Sequence, residues 1–157
     1  MPDLDLLHRL EAGRRELLEA CLGLTDEQLR LRPSADDWSV LEVLAHLPDV
    51  DRNWLANVQM MLTQDSPTLP GFDDAAWKAA HAHVNQQPAA EVFADLRASH
   101  AEALAGVGAL TDADLARTGI GRRGSLTVKE LITRYSGHDA NHANQIREIR
   151  AAIGCGV

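Results

Sequence analysis

Three histidines have the residue type and the spacing of a metal site. His138 and His142 lie four residues apart in a segment whose apolar residues recur at helical spacing. Both rings fill gaps in that apolar face, so they point in the same direction as its isoleucines. Two histidines one helical turn apart can share a metal ion when another helix supplies a further ligand. His46 is the candidate for that ligand, and the sequence therefore predicts a metal site of His46, His138 and His142.

A site of this kind permits two related reactions. Three neutral imidazoles leave a divalent ion its full charge and at least one open coordination position, which is typical of catalytic sites. Such an ion acidifies a bound water, which favours hydrolysis, or deprotonates a bound thiol, which favours transfer of that thiol to an electrophile. We expect zinc or nickel, with iron or manganese as alternatives that imidazole ligands also accept.

Two further residues are candidate catalytic groups, Asp51 and His100. Asp51 falls within the apolar face of its predicted helix, where a bare carboxylate is costly. Its partner is therefore a metal, a ligating histidine that it orients, or an arginine. Asp139, beside His138, poses the same question. His100 lies on the apolar face of the predicted third helix. It is a candidate fourth ligand or proton-transfer group, and the alternative is a core histidine bonded to a backbone carbonyl.

A repeated order of short motifs predicts the elements that position these residues. LTDEQLR and then WSVLEVL in the first half correspond to LTDADLAR and then LTVKELI in the second. Each second motif opens with a capping box, formed by Ser39 with Glu42 and by Thr127 with Glu130. The sequence predicts four long helices, near residues 3–22, 38–62, 88–106 and 127–153. Short helical turns are expected to begin at Thr25 and Thr111.

The second predicted helix and the connection that follows it have special features. Pro48 lies in mid-helix and predicts a kink, because it cannot donate a hydrogen bond to the preceding turn. Glu42 and Asp49 fall outside the apolar arc, and we predict that they face solvent. The long connection, residues 63–87, contains a possible short helix from Asp73 to His83. A connection of this length is often a lid or a rim, and it lets the second and third helices run parallel.

Composition limits the class of protein. A chain of 157 residues predicts one domain, residues 1–157, and 45% hydrophobic residues with few aromatics suit a helical fold. The net charge of −8 argues against a nucleic-acid-binding face. No apolar run reaches membrane length. Cys21 and Cys155 have no metal or redox spacing and are interpreted as free thiols, so we expect a cytoplasmic protein.

Two segments resemble the DinB/YfiT-like superfamily of bacterial proteins. They are WSVLEVLAHLPDVD, residues 38–51, and GHDANHANQIREI, residues 137–149, and the resemblance covers nearly the whole chain. It implies an all-α four-helix bundle of up-down-down-up topology with a long crossover between the second and third long helices. It also implies a homodimer and one divalent metal held by His46, His138 and His142. An acidic residue at the position of Asp51 is common there, whereas Pro48 departs from the pattern.

The resemblance also implies a range of activities. Characterised relatives are mostly metal-dependent enzymes that act with small thiols such as bacillithiol or mycothiol, and others are regarded as hydrolases. We therefore expect a metal-dependent thiol S-transferase or hydrolase that acts on a small electrophile, with Trp54, Trp77 and Arg134 as candidate lining residues. A non-catalytic metal-binding stress protein and a dimeric interaction module are the alternatives.

Overall fold

The computed structural model describes residues 1–155 and forms a four-helix bundle, which confirms the predicted fold class. Its helices are α1 (Leu4–Ala20), α2 (Asp26–Arg30), α3 (Val40–Thr63), α4 (Asp74–Ala80), α5 (Ala89–Gly108), α6 (Asp112–Leu115), α7 (Val128–Ser136) and α8 (His138–Ala152). The long helix α3 packs mainly against α5, and α1 packs mainly against α8. No helix within residues 1–155 is long and apolar enough to cross a bilayer.

The predicted helix starts form through capping boxes. Ser39 caps α3 and Thr127 caps α7, and in each case the side chain three residues later bonds back to the backbone of the cap. Thr25 and Thr111 cap the short helices α2 and α6 in the same way. Each box satisfies backbone N–H groups that have no partner inside the helix. The repeated motifs of the sequence therefore correspond to repeated helix starts.

The prediction that Glu42 faces solvent is wrong. The Glu42 side chain is 2% exposed, and one of its carboxylate oxygens accepts a hydrogen bond from the Ser39 backbone N–H at 3.0 Å. The guanidinium of Arg32 binds both oxygens, at 2.7 and 2.9 Å. Burial alone raises the pKa of Glu42, but the hydrogen bonds from Arg32 and Ser39 outweigh burial and hold that pKa below its usual value. Asp49 is partly exposed, and its carboxylate accepts a hydrogen bond from Trp77 at 2.8 Å.

The fourth long helix is broken, whereas the sequence predicted one helix over 127–153. Gly137 separates α7 from α8, so His138 opens the first turn of α8. The backbone of α1 lies against this break at Gly13. A Cβ added to Gly13 would lie 2.9 Å from the backbone oxygen of Ser136, so the close approach requires glycine. The helix α3, in which Pro48 predicts a kink, continues as one helix through Pro48 to Thr63.

A small hairpin precedes α7 and was not predicted. Strands β1 (Thr118–Gly121) and β2 (Gly124–Thr127) are antiparallel, and the turn requires Gly124 at φ +111°. The connection after α3 is fastened to this hairpin, since Ile120 accepts the Leu69 N–H at 2.9 Å. The connection also contains α4 and a 3₁₀ turn over Val84–Gln86. The possible helix over 73–83 is therefore present as the shorter α4.

The two cysteines differ in environment, and we expect them to differ in reactivity. Cys21 is buried, and burial raises the pKa of its thiol to about 12, whereas Cys155 is partly exposed. At pH 8 the Cys21 thiol is therefore almost entirely protonated, and the thiolate is the reactive form. We predict that iodoacetamide labels Cys155 of the folded protein and leaves Cys21 unmodified. Peptide mass spectrometry with a Cys155→Ser control checks this, and rapid labelling of Cys21 would contradict it.

Candidate metal centre

The structure brings the three predicted histidines together. His46 comes from α3, and His138 and His142 come from the first two turns of α8. The ring centroids of His138 and His142 are 4.4 Å apart, and those of His46 and His142 are 4.8 Å apart.

His46 is buried with one nitrogen bonded and the other without a partner. Its Nδ1 lies 2.6 Å from the carbonyl oxygen of Val43, which can only accept, so Nδ1 carries the proton. Burial, and next the neighbouring His142, lower the pKa of His46 to about 4, so the ring is neutral at pH 7. The Nε2 lone pair has no hydrogen-bond partner among the described residues. A buried lone pair of this kind needs a proton donor or a cation.

His138 and His142 present a second arrangement suited to a metal. The Nδ1 of His142 lies 2.8 Å from the side-chain oxygen of Gln145, which leaves Nε2 with its lone pair. That nitrogen is 3.3 Å from Nε2 of His138. Two imidazole nitrogens on one tetrahedral zinc ion, each about 2.0–2.1 Å from the metal, lie roughly 3.3–3.4 Å apart. The same distance also permits a long N–H···N hydrogen bond between the two rings.

The imidazole and carboxylate groups at this site are of the types that bind divalent metals, and they lie near one another. They do not, however, surround a common point as ligands of one ion do. Within residues 1–155, no three His, Cys, Asp or Glu side chains converge as ready ligands. His46 turns its free Nε2 towards Asp74, whose Oδ1 lies 3.6 Å away. A lone pair and a carboxylate oxygen that face each other are two acceptors without a donor, an arrangement that a nearby cation bound to the lone pair would relieve. His46 and His142 each donate a hydrogen bond from Nδ1 to an oxygen atom. Histidines that bind a metal through Nε2 usually make this second contact.

Aromatic side chains enclose His46. Trp38, Phe72 and Trp77 surround the ring at centroid distances of 5.0, 6.1 and 5.8 Å. Trp77 belongs to α4 and stacks on Trp38 at 5.9 Å. Phe72 and Trp77 belong to the connection between α3 and α5, so this connection covers one side of His46. A wall of this kind excludes water and lowers the local dielectric, which strengthens electrostatic interactions inside.

Asp74 is the functional candidate that the sequence analysis missed. It lies in the first turn of α4, and it brings a carboxylate to the histidine cluster from outside the two histidine helices. Its side chain is 55% exposed, so it also faces solvent. The only sequence signal was an acidic pair at the start of a possible short helix. The fold of the connection, which the sequence did not specify, places Asp74 beside His46.

Asp51 and Asp139 lie in a buried ion network with Arg14. The guanidinium of Arg14 binds Asp51 at 2.9 Å and Asp139 at 2.8 Å, and it also donates to the carbonyl of Leu96 at 2.9 Å. The Ser99 hydroxyl adds a hydrogen bond to Asp51 at 2.8 Å. Burial lowers the pKa of Arg14, but the two carboxylates outweigh it and raise that pKa. Of the partners that the sequence left open for Asp51, the structure shows the arginine.

Within residues 1–155, neither predicted catalytic group forms a hydrogen bond or an ion pair with the three histidine rings. Asp51 has a further partner in Trp54, whose Nε1 lies 3.3 Å from its second oxygen, so both oxygens are occupied. His100 is partly buried beside Arg14, and burial followed by that positive charge lowers its pKa. The catalytic roles of Asp51 and His100 thus remain predictions from the sequence. Among the predicted lining residues, Trp77 lies against His46 and Trp54 is buried in the core.

The sequence contains a signal that identifies Arg14 as a candidate partner of buried carboxylates. Arg14 lies on α1 between Leu10 and Leu17, at the spacing of one helical face, and all three side chains are buried. An arginine at such a position needs buried acceptors. Its two carboxylate partners come from α3 and α8. The position of Arg14 in this apolar spacing therefore favours an arginine over a metal as the partner of Asp51.

Comparison with known proteins assigns this chain to a family. The family model of the DinB superfamily matches residues 9–146. A Geobacillus kaustophilus protein named "Putative metal-dependent hydrolase" is 30% identical over 141 residues, which is 88% of this chain and 79% of that protein. YfiT of Bacillus subtilis, with the same name, is 25% identical over 147 residues, 92% of this chain and 82% of its own.

Two solved structures share the fold. That of YfiT, described as a probable metal-dependent hydrolase with an unusual four-helix bundle topology, has a TM-score of 0.80 at 24% identity and covers 96% of this chain and 86% of its own. A mycothiol-dependent maleylpyruvate isomerase has a TM-score of 0.74 at 11% identity and covers 93% of this chain and 61% of its own. At these identities the likeness is one of fold. Because the family match spans most of the sequence, the protein belongs to the DinB superfamily.

Proposed function

We propose that this protein is a metal-dependent hydrolase whose divalent ion is held by His46, His138 and His142. The observation that carries the proposal is the buried Nε2 of His46, which has no hydrogen-bond partner among residues 1–155. The ring of His46 lies 4.8 Å from that of His142, whose Nε2 is 3.3 Å from Nε2 of His138. The name of the Geobacillus kaustophilus relative, which matches 88% of the chain, supports the same reaction class. Zinc and nickel are the proposed metals, with iron or manganese as alternatives.

The metal would supply one kind of chemistry in this site. A divalent ion with three imidazole ligands lowers the pKa of a bound water or thiol and so provides a nucleophile at neutral pH. Val43 and Gln145 hold two of the rings in the tautomer that leaves Nε2 free to bind. Trp38 and Trp77 keep bulk water away from His46.

Asp74 is the proposed proton acceptor. Its carboxylate lies 3.6 Å from Nε2 of His46, while its partial exposure lets a proton pass on to solvent. Asp51 is less suited to this role, because its oxygens are taken by Arg14, Ser99 and Trp54. General-base catalysis of this kind contributes about 100-fold or more to a rate.

We expect Asp74→Asn to keep the metal and to slow hydrolysis of p-nitrophenyl acetate about 100-fold, because the amide cannot accept the proton. Asp65→Asn is the matched control, since the Asp65 side chain is fully exposed beside Arg117. Metal content by elemental analysis is measured on the same samples. Loss of the metal in Asp74→Asn would make Asp74 a ligand, and an unchanged rate would remove it from the reaction.

Thiol transfer is the second candidate function. The mycothiol-dependent maleylpyruvate isomerase shares the fold of this chain with a TM-score of 0.74. The same nucleophile-generating site would serve a small thiol such as mycothiol or bacillithiol in place of water. Conjugation of either thiol to chlorodinitrobenzene, measured beside ester hydrolysis in wild type and His142→Ala, separates the two reactions. Conjugation without hydrolysis, lost in His142→Ala, would favour the transferase.

A further inference from the structure

A groove leads away from the histidine cluster towards two arginines, and we call it the arginine groove. It consists of two adjoining cavities of about 210 and 220 Å³ that share Phe72, Arg134 and Tyr135. The first cavity reaches His138 and Asp74, and the second reaches Arg122. A larger depression of about 630 Å³ lies along β2 and α7 and contains none of the three histidines.

The walls of the groove combine apolar and polar residues, and hydrogen bonds hold one side of it in place. The apolar residues of the second cavity are Leu69, Pro70, Phe72, Leu126 and Leu131. The buried Asn57 side chain donates to the carbonyl of Pro70 at 2.9 Å. The backbone of Leu69 is bonded to β1. A concave apolar surface with a few placed polar groups is typical of small-molecule sites.

The two arginines of the groove make no hydrogen bond or ion pair with any side chain or backbone group in the described part of the chain. Arg14, Arg30 and Arg32, by contrast, bind carboxylates at 2.7–2.9 Å. Other exposed arginines also lack a partner in the described part of the chain, and what distinguishes Arg122 and Arg134 is that both line one cavity. The Arg122 guanidinium is positioned against the groove wall, since its Nη2 would be 3.5 Å from a Cβ on Gly71. Two guanidinium groups that line one cavity without a carboxylate partner form an anion-binding pattern.

The polarity of the groove gives a ligand its direction. Asp74 lines the cavity at the histidine end and repels an anionic group there. Arg122 lines only the far cavity, whereas Arg134 lines both cavities and also the larger depression along β2 and α7. Tyr135 stacks on Trp54 at 5.8 Å and lies 5.7 Å from the His138 ring, so it forms a fixed floor between the two ends. An anion is therefore attracted to the arginine end, and the apolar part of the ligand extends towards His138.

We propose that the arginine groove binds an organic carboxylate, with the carboxylate on Arg122 and Arg134 and the carbon skeleton against Phe72 and Leu131. The substrate of the proposed hydrolase or transferase is thereby an acid-bearing electrophile whose reactive carbon faces the histidines. This substrate class rests on the proposed function, whereas carboxylate binding does not. A phosphate group would meet the same guanidinium groups, so binding of phenylpropionate and of phenyl phosphate must be compared to distinguish the two anions.

Binding of phenylpropionate tests the proposal without any turnover. We expect calorimetric titration of the chelated protein to show saturable binding, and binding of the uncharged phenylpropionamide to be at least ten-fold weaker. Arg134→Gln and Arg122→Gln should each weaken phenylpropionate binding about ten-fold, because a charge-assisted hydrogen bond is lost. Arg123→Gln is the matched control, since Arg123 is the exposed neighbour that does not line the groove.

Other outcomes overturn the proposal. They are equal affinity for acid and amide, an equal effect of Arg123→Gln, absence of binding at millimolar concentration, and tighter binding of phenyl phosphate than of phenylpropionate. Both arginines are exposed, and unchanged thermal unfolding of the variants shows that lost binding is not lost folding. His142→Ala separates this inference from the proposed function. If that variant retains metal, the metal site fails while carboxylate binding is still measured.

Discussion

Arg14→Met is expected to lower the free energy of unfolding by about 3–5 kcal/mol, because it leaves two buried carboxylates without their cation. Arg14 is 4% exposed, and its guanidinium binds Asp51, Asp139 and the carbonyl of Leu96. Methionine retains much of the side-chain volume but none of the charge. A loss of this size is a large part of the roughly 5–15 kcal/mol that stabilises an ordinary domain. Urea denaturation at pH 7 measures it.

Two further variants make the Arg14 experiment specific. Arg147→Met removes a surface pair with Glu16, in which both side chains are 42% exposed, and should cost at most about 1 kcal/mol. The triple variant Arg14→Met, Asp51→Asn, Asp139→Asn should recover part of the loss, because no buried charge remains. An Arg14→Met loss as small as that of Arg147→Met would show that the network does not stabilise the fold.

The Arg14 network also explains how the histidines are held. On α1, Arg14 lies between Leu10, which belongs to one apolar core cluster, and Leu17, which belongs to the other. It ties the first turn of α8 to the middle of α3 through Asp139 and Asp51. His138 immediately precedes Asp139, and His46 lies five residues before Asp51. The network therefore fixes, by its charges, the relative position of the two helices that carry the histidine cluster.

Local signals were sufficient to predict the helices and the histidines. Capping boxes at Ser39 and Thr127 depend on neighbouring residues alone, so the starts of α3 and α7 could be placed within a residue or two. Helical spacing put His138 and His142 on one face for the same reason. These parts of the fold are encoded within a turn or two of the chain.

Long-range contacts determined what the sequence did not reveal. The break at Gly137 lies against Gly13 of α1, more than a hundred residues away, and the sequence around Gly137 is itself compatible with helix. Glu42 looked exposed because its partner Arg32 lies outside the helix. Asp74 reaches His46 only because the connection folds back over α3. Each of these features depends on a partner that a helical wheel cannot include.

Metal binding is expected to raise the melting temperature by roughly 8–16 °C. An ion at about 1,000 times its dissociation constant adds about 4 kcal/mol to a protein that binds it only when folded. For a chain of this size, each kcal/mol raises the melting temperature by roughly 2–4 °C. The gain arises because the ion satisfies the buried Nε2 of His46 and joins α3 to α8. Thermal unfolding with zinc or nickel, and again with chelator, measures the difference.

The variant His142→Gln should abolish both the thermal shift and the bound metal, since it removes the ring between His46 and His138. His8→Gln is the matched control, because His8 is exposed on α1 and should leave one metal ion per chain and the full shift. Elemental analysis accompanies each melting curve. An equal shift in His142→Gln and wild type would place the metal elsewhere. Absence of metal in wild type after incubation with divalent ions would refute the metal centre and leave the helical interaction module as the remaining hypothesis.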